Sequence, residues 1–549
     1  MYILKQESYL RASIFNFKPK KFIMKTVYKS NVRKIAVSLL GLWLMSESAC
    51  TNLQVKPADQ FTVEQFFKNE KEAESGLASA YAGLRGFFDI YSNGGIYSIN
   101  EYQGGNMLTP IKNGFDWGDA NNAHQRLYEL KMDYSDKYYE TNTWNWIYKG
   151  IGLSNWYIAS INKTDVKNKN RYIAEAKMNR ALLYFWGLSL FGNIPYVDTY
   201  EPGSVVLPAQ QTQPFVYEKI VAEINAAIPD LSDDRAPERW NKWGAYTLLA
   251  RVYLNARIFK SESANAASWG APEWDKCIEA CDQVINSGKY MLEPDYFANF
   301  TYDNENSKEN IFTIPFDASL ATGLYIAVTH LHYNMPPKYG LSAGAWNGAV
   351  IAPDFFHSFD TDDSRFKNGI TYGLQTLPDG TPIKDRDGKN LVLKPDGFGL
   401  RTAKDSDGAR LTKFKYEKGG GFNMNNDYPV LRLADAFMMK AECLFRKGDA
   451  TGAAELINKI RSRCFEPDKP LAVADLTEDR LLIEMRQEFF GEMRARMDLR
   501  RFDKLSKGSR TFKEPFQTND QDILPIPQSV LRANSNLKQN PGSYYSAMN

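Results

Sequence analysis

The sequence predicts a mainly α protein, with a helical scaffold over about 61–290 and 428–505 and a loop-rich, short-strand insertion at about 290–427. Two observations carry that expectation. Helix-length segments on both sides place apolar residues three and four positions apart. The stretch between them breaks into short apolar runs separated by Asp-Gly turns. A chain of 549 residues, 43% hydrophobic and 24% charged, is long enough to bury one large core. Beyond its N-terminal segment, no run approaches the roughly 20 apolar residues of a membrane span.

Taken in chain order, residues 1–49 read as an upstream extension and an export signal. From Met24 a basic stretch (Lys25, Lys29, Arg33, Lys34) leads into an apolar run from Ile35 to Met45 and then into small residues ending at Ala49 and Cys50. This architecture places the true start at Met24. Cys50 after Ser48-Ala49 resembles the lipobox of bacterial lipoproteins, in which that cysteine is acylated and begins the mature chain. Glu47 stands where an aliphatic residue is usual, so ordinary cleavage at a small-x-small site is the alternative. Acyl chains at roughly 0.8 kcal/mol per buried CH₂ would anchor the protein to a membrane.

Residues 1–49 hold nine Lys or Arg and two acidic residues, leaving 58 basic against 63 acidic residues in the body. A net −5 argues against nucleic acid as a partner, because phosphate neutralisation calls for a basic face. Aromatic residues make up 13% of the chain, and some of those rings can serve a binding surface.

Helical patterns follow at 61–88, 138–162, 168–191, 213–230, 241–258 and 272–287. In the third, Ala174, Met178, Ala181, Leu182, Phe185 and Leu188 fall on one face, which must be buried against other helices. Trp144, Trp146, Trp156 and Trp186 lie inside such patterns and are expected in the core. After the insertion, helices are expected at 428–447, 449–463 and 475–504, with Ala434, Met438, Ala441 and Phe445 forming the stripe of the first and Gly448-Asp449 the turn after it. Antiparallel pairs with Ala at close-approach positions resemble tetratricopeptide units without a strict 34-residue period, a degenerate helical repeat. Between the two helical parts, Ile311 to Phe316 and Leu324 to Val328 read as strands. Asp379-Gly380, Asp387-Gly388 and Asp396-Gly397 read as turns and not calcium loops, since none completes an oxygen cage.

Chemistry-bearing patterns are few. Cys277, Cys281, Cys443 and Cys464 lack Cys-x-x-Cys spacing and read as core. Gly340-Leu341-Ser342-Ala343-Gly344 has the form of a nucleophile elbow but lacks the strand before it and the helix after it. His330 and His332 would share one face of a strand, yet no third metal ligand is spaced to join them. No carboxylate pair stands out as a glycosidase couple. From Glu478 to Lys504, seven acidic and seven basic residues suggest a salt-bridged helix face.

Many ordered blocks together resemble the SusD/RagB family of outer-membrane nutrient-binding lipoproteins of the Bacteroidetes. They include CTNLQVKPADQF, WNWIYKGIGLSN, AEAKMNRALLYFWGLSLFGNIPYV, WGAYTLLARVYLNA, WDKCIEACDQVINSGKYML, LRLADAFMMKAECLFRKGDATGAAELINKIRSR, RQEFFGEMRARMDLRRF and ILPIPQSVLRANSNLKQNPG. The resemblance implies a single SusD-like domain over 50–549, built on four tetratricopeptide-like helix pairs, with a ligand site on a loop-rich face. Nothing in the residues forces an enzyme, and no catalytic residue, cofactor or metal ligand is expected. The partner the resemblance implies is a SusC-like TonB-dependent transporter, to which the protein, lipid-anchored in the outer membrane and facing the cell exterior, delivers its ligand. Two departures stand out. Thr51, Asn52, Leu53 and Gln54 lack the acidic cluster that often accompanies surface export, and NMLTPIKNGF differs from the family's acidic-methionine stretch.

Sugars bind proteins by stacking their apolar faces on aromatic rings while amides and carboxylates take the hydroxyls. Two loop segments supply such residues: Asn106 and Trp117, flanked by Asp116 and Asp119, in the first, and Tyr325, Tyr339 and Trp346 in the second. They are expected to converge into a shallow platform for an oligosaccharide or polysaccharide, with core packing as the alternative for each ring. Oligopeptide capture is the alternative ligand class, and a glycoside hydrolase or a ligand-free helical scaffold are alternatives of other kinds.

Overall fold

The computed structural model describes residues 67–86, 95–202 and 206–546. The export segment 1–49 and the expected anchor Cys50 lie outside them. Among the described residues, eight helices form the scaffold: α1 (Glu70–Arg85), α2 (Asn142–Ile161), α3 (Lys169–Phe191), α4 (Gln213–Ala227), α5 (Lys242–Leu254), α6 (Trp274–Ile285), α7 (Leu433–Arg446) and α8 (Ala450–Arg461). Each packs on the next, so the order in space follows the order in sequence, and α6 packs directly on α7 across the whole insertion. Side-chain caps start several of them: Asn69, Thr212, Asn241 and Asp449 each accept a backbone N–H of the first turn. Gly448, at φ 93°, makes the turn from α7 into α8.

Close approach sets the spacing of α2 and α3. A Cβ on Gly150 would lie 2.7 Å from Leu183 Cδ1, so a larger residue there would force the Leu183 side chain to move. The expected apolar stripe of α3 is buried, but so is the other side of the helix, including Glu175, Asn179 and Arg180. The one-sided expectation is corrected: α1, α2 and α4 pack around α3, and Glu175 and Arg180 find partners inside. Glu175 takes Arg171, Arg239 and the Tyr81 hydroxyl, while Arg180 joins Glu223 and Asn155. Trp144 and Trp186 are buried as expected, whereas Trp146 and Trp156 are half-buried against the core. The four cysteines are free and buried.

Three further expectations are corrected. Residues 428–432 are not the start of α7 but a strand, β2 (Tyr428–Arg432), paired antiparallel with β1 (Asn310–Ile314). Pro429 and β-branched Val430 fit an irregular ladder better than a helix interior, and the pairing shifts register after Pro429. The 475–504 helix is two helices, α9 (Glu478–Glu488) and α10 (Ala495–Arg501). Gly491 (φ 76°) and Met493 (φ 60°) turn left-handed between them and end the first. Leu324 to Val328 is not a strand, because Ile326–His330 forms one helical turn. His330 and His332 are both buried, and burial lowers the first to about 4 and the second to about 3. The insertion otherwise holds antiparallel two-stranded pairings such as Gly373–Leu374 with Val392–Leu393, and Gly380, Gly388 and Gly397 turn at positive φ.

The salt-bridged face expected of 478–504 is largely a buried network: Glu478 and Asp479 are exposed, but Glu484, Glu488 and Glu492 are buried with their cations. Glu488 and Arg432 are both fully buried and 2.7 Å apart. Arg432 also reaches Glu309 and Glu492, each at 2.7 Å. Arg463 joins Glu488 at 2.7 Å and also Glu309; Arg365 reaches Glu488 at 3.0 Å and Lys413 reaches Glu492 at 2.5 Å. Burial alone would raise the Glu488 carboxyl, but Arg432, Arg463 and Arg365 hold it well below the usual range, and Glu309 is lowered in the same way by Arg463 and Arg432.

Removing one partner of such a network strands the others without water. Arg432→Ala is expected to cost about 3–5 kcal/mol in denaturant unfolding. In the native protein, a depressed carboxylate contributes its stability above its unfolded pKa of roughly 4.3, and that contribution is lost as pH falls further. In Arg432→Ala the stranded carboxylates should be raised instead, so the deficit measured at pH 7 should shrink toward pH 4. A deficit that stays constant with pH would contradict the network.

Candidate ligand-binding site

Three loops of the insertion and one earlier loop meet around Trp346. The backbone N–H of Trp346 donates to Val328 O, that of Asn347 to Leu331 O and that of Gly348 to Thr329 O. The 346–348 loop therefore lies along the 326–331 turn as a further hydrogen-bonded layer. Asn347 takes φ 52° in that loop. Buried Lys112 clamps the loop, its Nζ donating to Asn347 O (2.7 Å), Asn347 Oδ1 (3.1 Å) and Gly348 O (3.0 Å). Burial, with Arg410 beside it, pulls the Lys112 ammonium well below its usual range. Arg410 donates to Asn347 Oδ1 from the other side (2.7 Å).

Trp117 arrives on the 3₁₀ turn Trp117–Asp119, where Gly118 has φ 69°. Its Nε1–H donates to Trp346 O (3.2 Å), and its ring lies over Gly348, where a Cβ would be 2.9 Å from Trp117 Cε2. His124 fixes the backbone beneath it. Burial lowers His124 to about 4, so the ring is neutral at pH 7. Contact of Nε2 with Trp117 O at 2.9 Å assigns the proton to Nε2, leaving Nδ1 to accept from the Tyr139 hydroxyl. Trp117 thus buttresses the Trp346 loop.

The Trp346 ring lies 6.0 Å from Tyr325 and 5.7 Å from Phe422, with the Phe422 plane inclined by 23°. Phe422 is 47% exposed, and Tyr325 and Trp346 are partly exposed. Phe422 stands on a glycine-rich loop (Gly419-Gly420-Gly421) tied to the insertion by Ser342, whose N–H and hydroxyl donate to it. That use of Ser342 Oγ is structural and not that of a nucleophile. Asn423 Oδ1 accepts the Gly323 N–H (3.0 Å), a further tie on the residue after Phe422.

The structure brings together Trp117, Tyr325 and Trp346, from segments 229 positions apart at the Trp117–Trp346 hydrogen bond. Two expected residues lie elsewhere. Asn106 is fully buried, donating to Glu101 and accepting from Arg486, so its expected place at a ligand surface is corrected. The helix Ile96–Gln103 just before it is buried on all sides, which makes this part of the first segment core. Tyr339 packs edge-on against Tyr416 (4.9 Å) within a separate cluster around Leu331 and Met335. Phe422 was missed by the sequence reading. Its signal is an aromatic between three glycines and Asn423, a loop able to hold a ring out of the core.

Comparison with known proteins agrees with this architecture. Residues 254–543 match the SusD family profile, and residues 91–254 match the profile described as starch-binding associating with outer membrane. The starch-binding protein SusD of Bacteroides thetaiotaomicron is 27% identical over 452 residues, covering 72% of this chain and 78% of that protein. SusD-like protein P25 of Formosa agariphila is 22% identical over 525 residues, covering 88% and 93%. Among solved structures, a laminarin-binding SusD-like protein superposes with a TM-score of 0.67 at 22% identity, covering 87% of this chain and all of that one. Surface glycan-binding protein A of Bacteroides thetaiotaomicron, in complex with laminarihexaose, gives 0.67 at 19% identity over 86% of this chain and all of that one. With one profile matched over more than half of its length and a helical scaffold shared with solved members, the chain belongs to the SusD family.

Proposed function

We propose that this protein captures an oligosaccharide or polysaccharide chain on the open aromatic face made by Trp346, Phe422 and Tyr325, and passes it uncleaved to a SusC-like TonB-dependent transporter in the outer membrane. The observation that carries the reading is the near-parallel pair Trp346 and Phe422, part-exposed on loops that are themselves rigidly tied down. Rings held in this way can stack on successive sugar faces, and the amide nitrogen of neighbouring Asn423 can donate to a hydroxyl. Trp117 contributes from below by holding the Trp346 loop. The relatives named for starch and laminarin binding support a glycan over a peptide. Acylation of Cys50 would hold the protein at the membrane, facing the exterior.

Binding by the purified protein to starch, laminarin and an oligopeptide mixture tests the ligand class; a preference for the peptides would overturn the glycan reading. Trp346→Ala and Phe422→Ala should each weaken glycan binding by roughly tenfold, since a stacked ring contributes on the order of 1 kcal/mol beyond area burial. Phe422→Ala should leave thermal stability almost unchanged. Trp186→Ala, which empties a buried site, should instead cost about 3–5 kcal/mol of stability. Equal affinities for Phe422→Ala and the native protein would remove the platform. Sustained release of product from any glycan would show catalysis instead of capture. Separately, Cys50→Ala should move the protein from the membrane fraction to the soluble fraction, and mass spectrometry of the native chain should find an acylated N-terminus at that residue.

A further inference from the structure

A second cavity, of about 270 Å³, shares no residue with the aromatic face. Its walls come from the Gly104-Gly105 turn, α9 and the 504–510 segment, and its charged residues are Arg486, Arg510, Lys504, Asp354 and Asp479. Of the two acids, only Asp479 is paired with a cation. Asp479 pairs with Lys504, and Asp354 accepts the Thr511 N–H and its hydroxyl (2.7 Å).

The two arginines are not matched in this way. Arg486 donates Nε and Nη2 to Asn106 Oδ1 (3.2 and 3.0 Å) and Nη2 also to the carbonyls of Gly104 (3.2 Å) and Gly105 (3.1 Å), all uncharged acceptors. Arg510 donates Nη2 to Tyr128 O (2.6 Å), and its Nε is buried with no hydrogen-bond partner. Neither guanidinium forms an ion pair among the described residues, in contrast to Arg432, Arg463, Arg365 and Arg501, which each hold at least two carboxylates. Burial, with the Arg510 charge beside it, lowers Arg486 to about 10, and burial lowers Arg510 as well, while Asp354 acts in the opposite direction on both.

Two desolvated guanidiniums at one small cavity, with a spare buried donor on Arg510 and no ion pair of their own, form a site for an anion, with the Asp354 carboxylate in the same wall offsetting part of their charge. Arginine's planar fork matches carboxylate, sulfate or phosphate oxygens, and charge-assisted hydrogen bonds of this type are the strong ones. The volume lies just below the range of drug-sized ligand pockets, which suits a single small group. We propose that this cavity binds one oxyanion between Arg486 and Arg510, either a free inorganic ion or an acidic substituent carried on a saccharide. The inference is independent of the aromatic platform.

Titration calorimetry of the full chain in chloride buffer, at constant ionic strength, decides it. The probes are inorganic sulfate, inorganic phosphate, glucuronate, glucose 6-sulfate and, as the neutral control, glucose. Saturable binding of the anions without binding of glucose is expected. Arg510→Gln should weaken it by roughly tenfold or more, the loss of one charge-assisted contact, whereas Arg532→Gln, on the exposed surface, should not. Tighter binding of glucose 6-sulfate or glucuronate than of the inorganic ions assigns the site to a sugar-borne group, and the reverse order assigns it to a free ion. No saturable binding by any anion to the native protein would overturn the proposal, as would affinity unchanged in a folded Arg510→Gln.

Discussion

A guanidinium with no access to water is among the most demanding groups a fold can enclose, and Arg432 is such a group. It sits at the end of β2, one residue before α7 begins, and it is compensated by carboxylates from three places: Glu309 beside β1, and Glu488 and Glu492 in and just after α9. Arg463 after α8, together with Arg365 and Lys413 from the insertion, completes the neutralisation. None of these charges is tolerable alone in that environment. The C-terminal helices and the insertion must therefore assemble together, and the left-handed residues Gly491 and Met493 are where the backbone bends to bring Glu488 and Glu492 to the same cation.

The aromatic face depends on that assembly at one remove. A ring that stacks on a sugar gains most if its orientation is set before the ligand arrives, since each side chain immobilised on binding costs affinity. Three consecutive backbone N–H groups at 346–348 donate to the turn beneath, and Lys112 and Arg410 hold the same loop from behind. A buried, unpaired lysine is costly, and here three oxygens of one short loop receive it. The site is thus an exposed surface on a rigid support, a different solution from an enclosed pocket.

The helical scaffold was legible in the sequence because its stripes repeat at helical spacing, and all eight scaffold helices coincide with expected segments. Where the reading failed, tertiary structure overrode local pattern. The charges of Glu478 to Lys504 suggested a salt-bridged helix face because they are equal in number and opposite in sign; only the partners at 309, 365 and 432, remote in sequence, show that several of them are buried. Asn106 suggested a ligand group because amides suit hydroxyls, yet its neighbours Glu101 and Arg486 consume it. Trp117, Tyr325 and Trp346 were picked out by composition and loop context, and the structure brings them together. Phe422 escaped because a lone phenylalanine in a glycine run carries no periodic signal. Tyr339 was drawn into the same group by proximity in sequence, but the turn after Pro336 directs it to another cluster.

That α6 packs directly on α7, although Asn286 to Arg432 intervene, has a consequence for how such a protein can change over generations. The helical array is continuous across the base of the insertion, and the insertion joins it through a shared apolar core, as where Phe312 stacks on Trp240 at 3.8 Å, and through the buried charges. Lengthening a loop within it is thermodynamically cheap, about 0.6 kcal/mol for each doubling, provided that Glu309, Arg365 and Lys413 keep their partners. Selection can then exchange one recognition surface for another, ring by ring and loop by loop, without renegotiating the scaffold. A single architecture can in this way diversify across chemically different nutrients while its buried charges stay fixed.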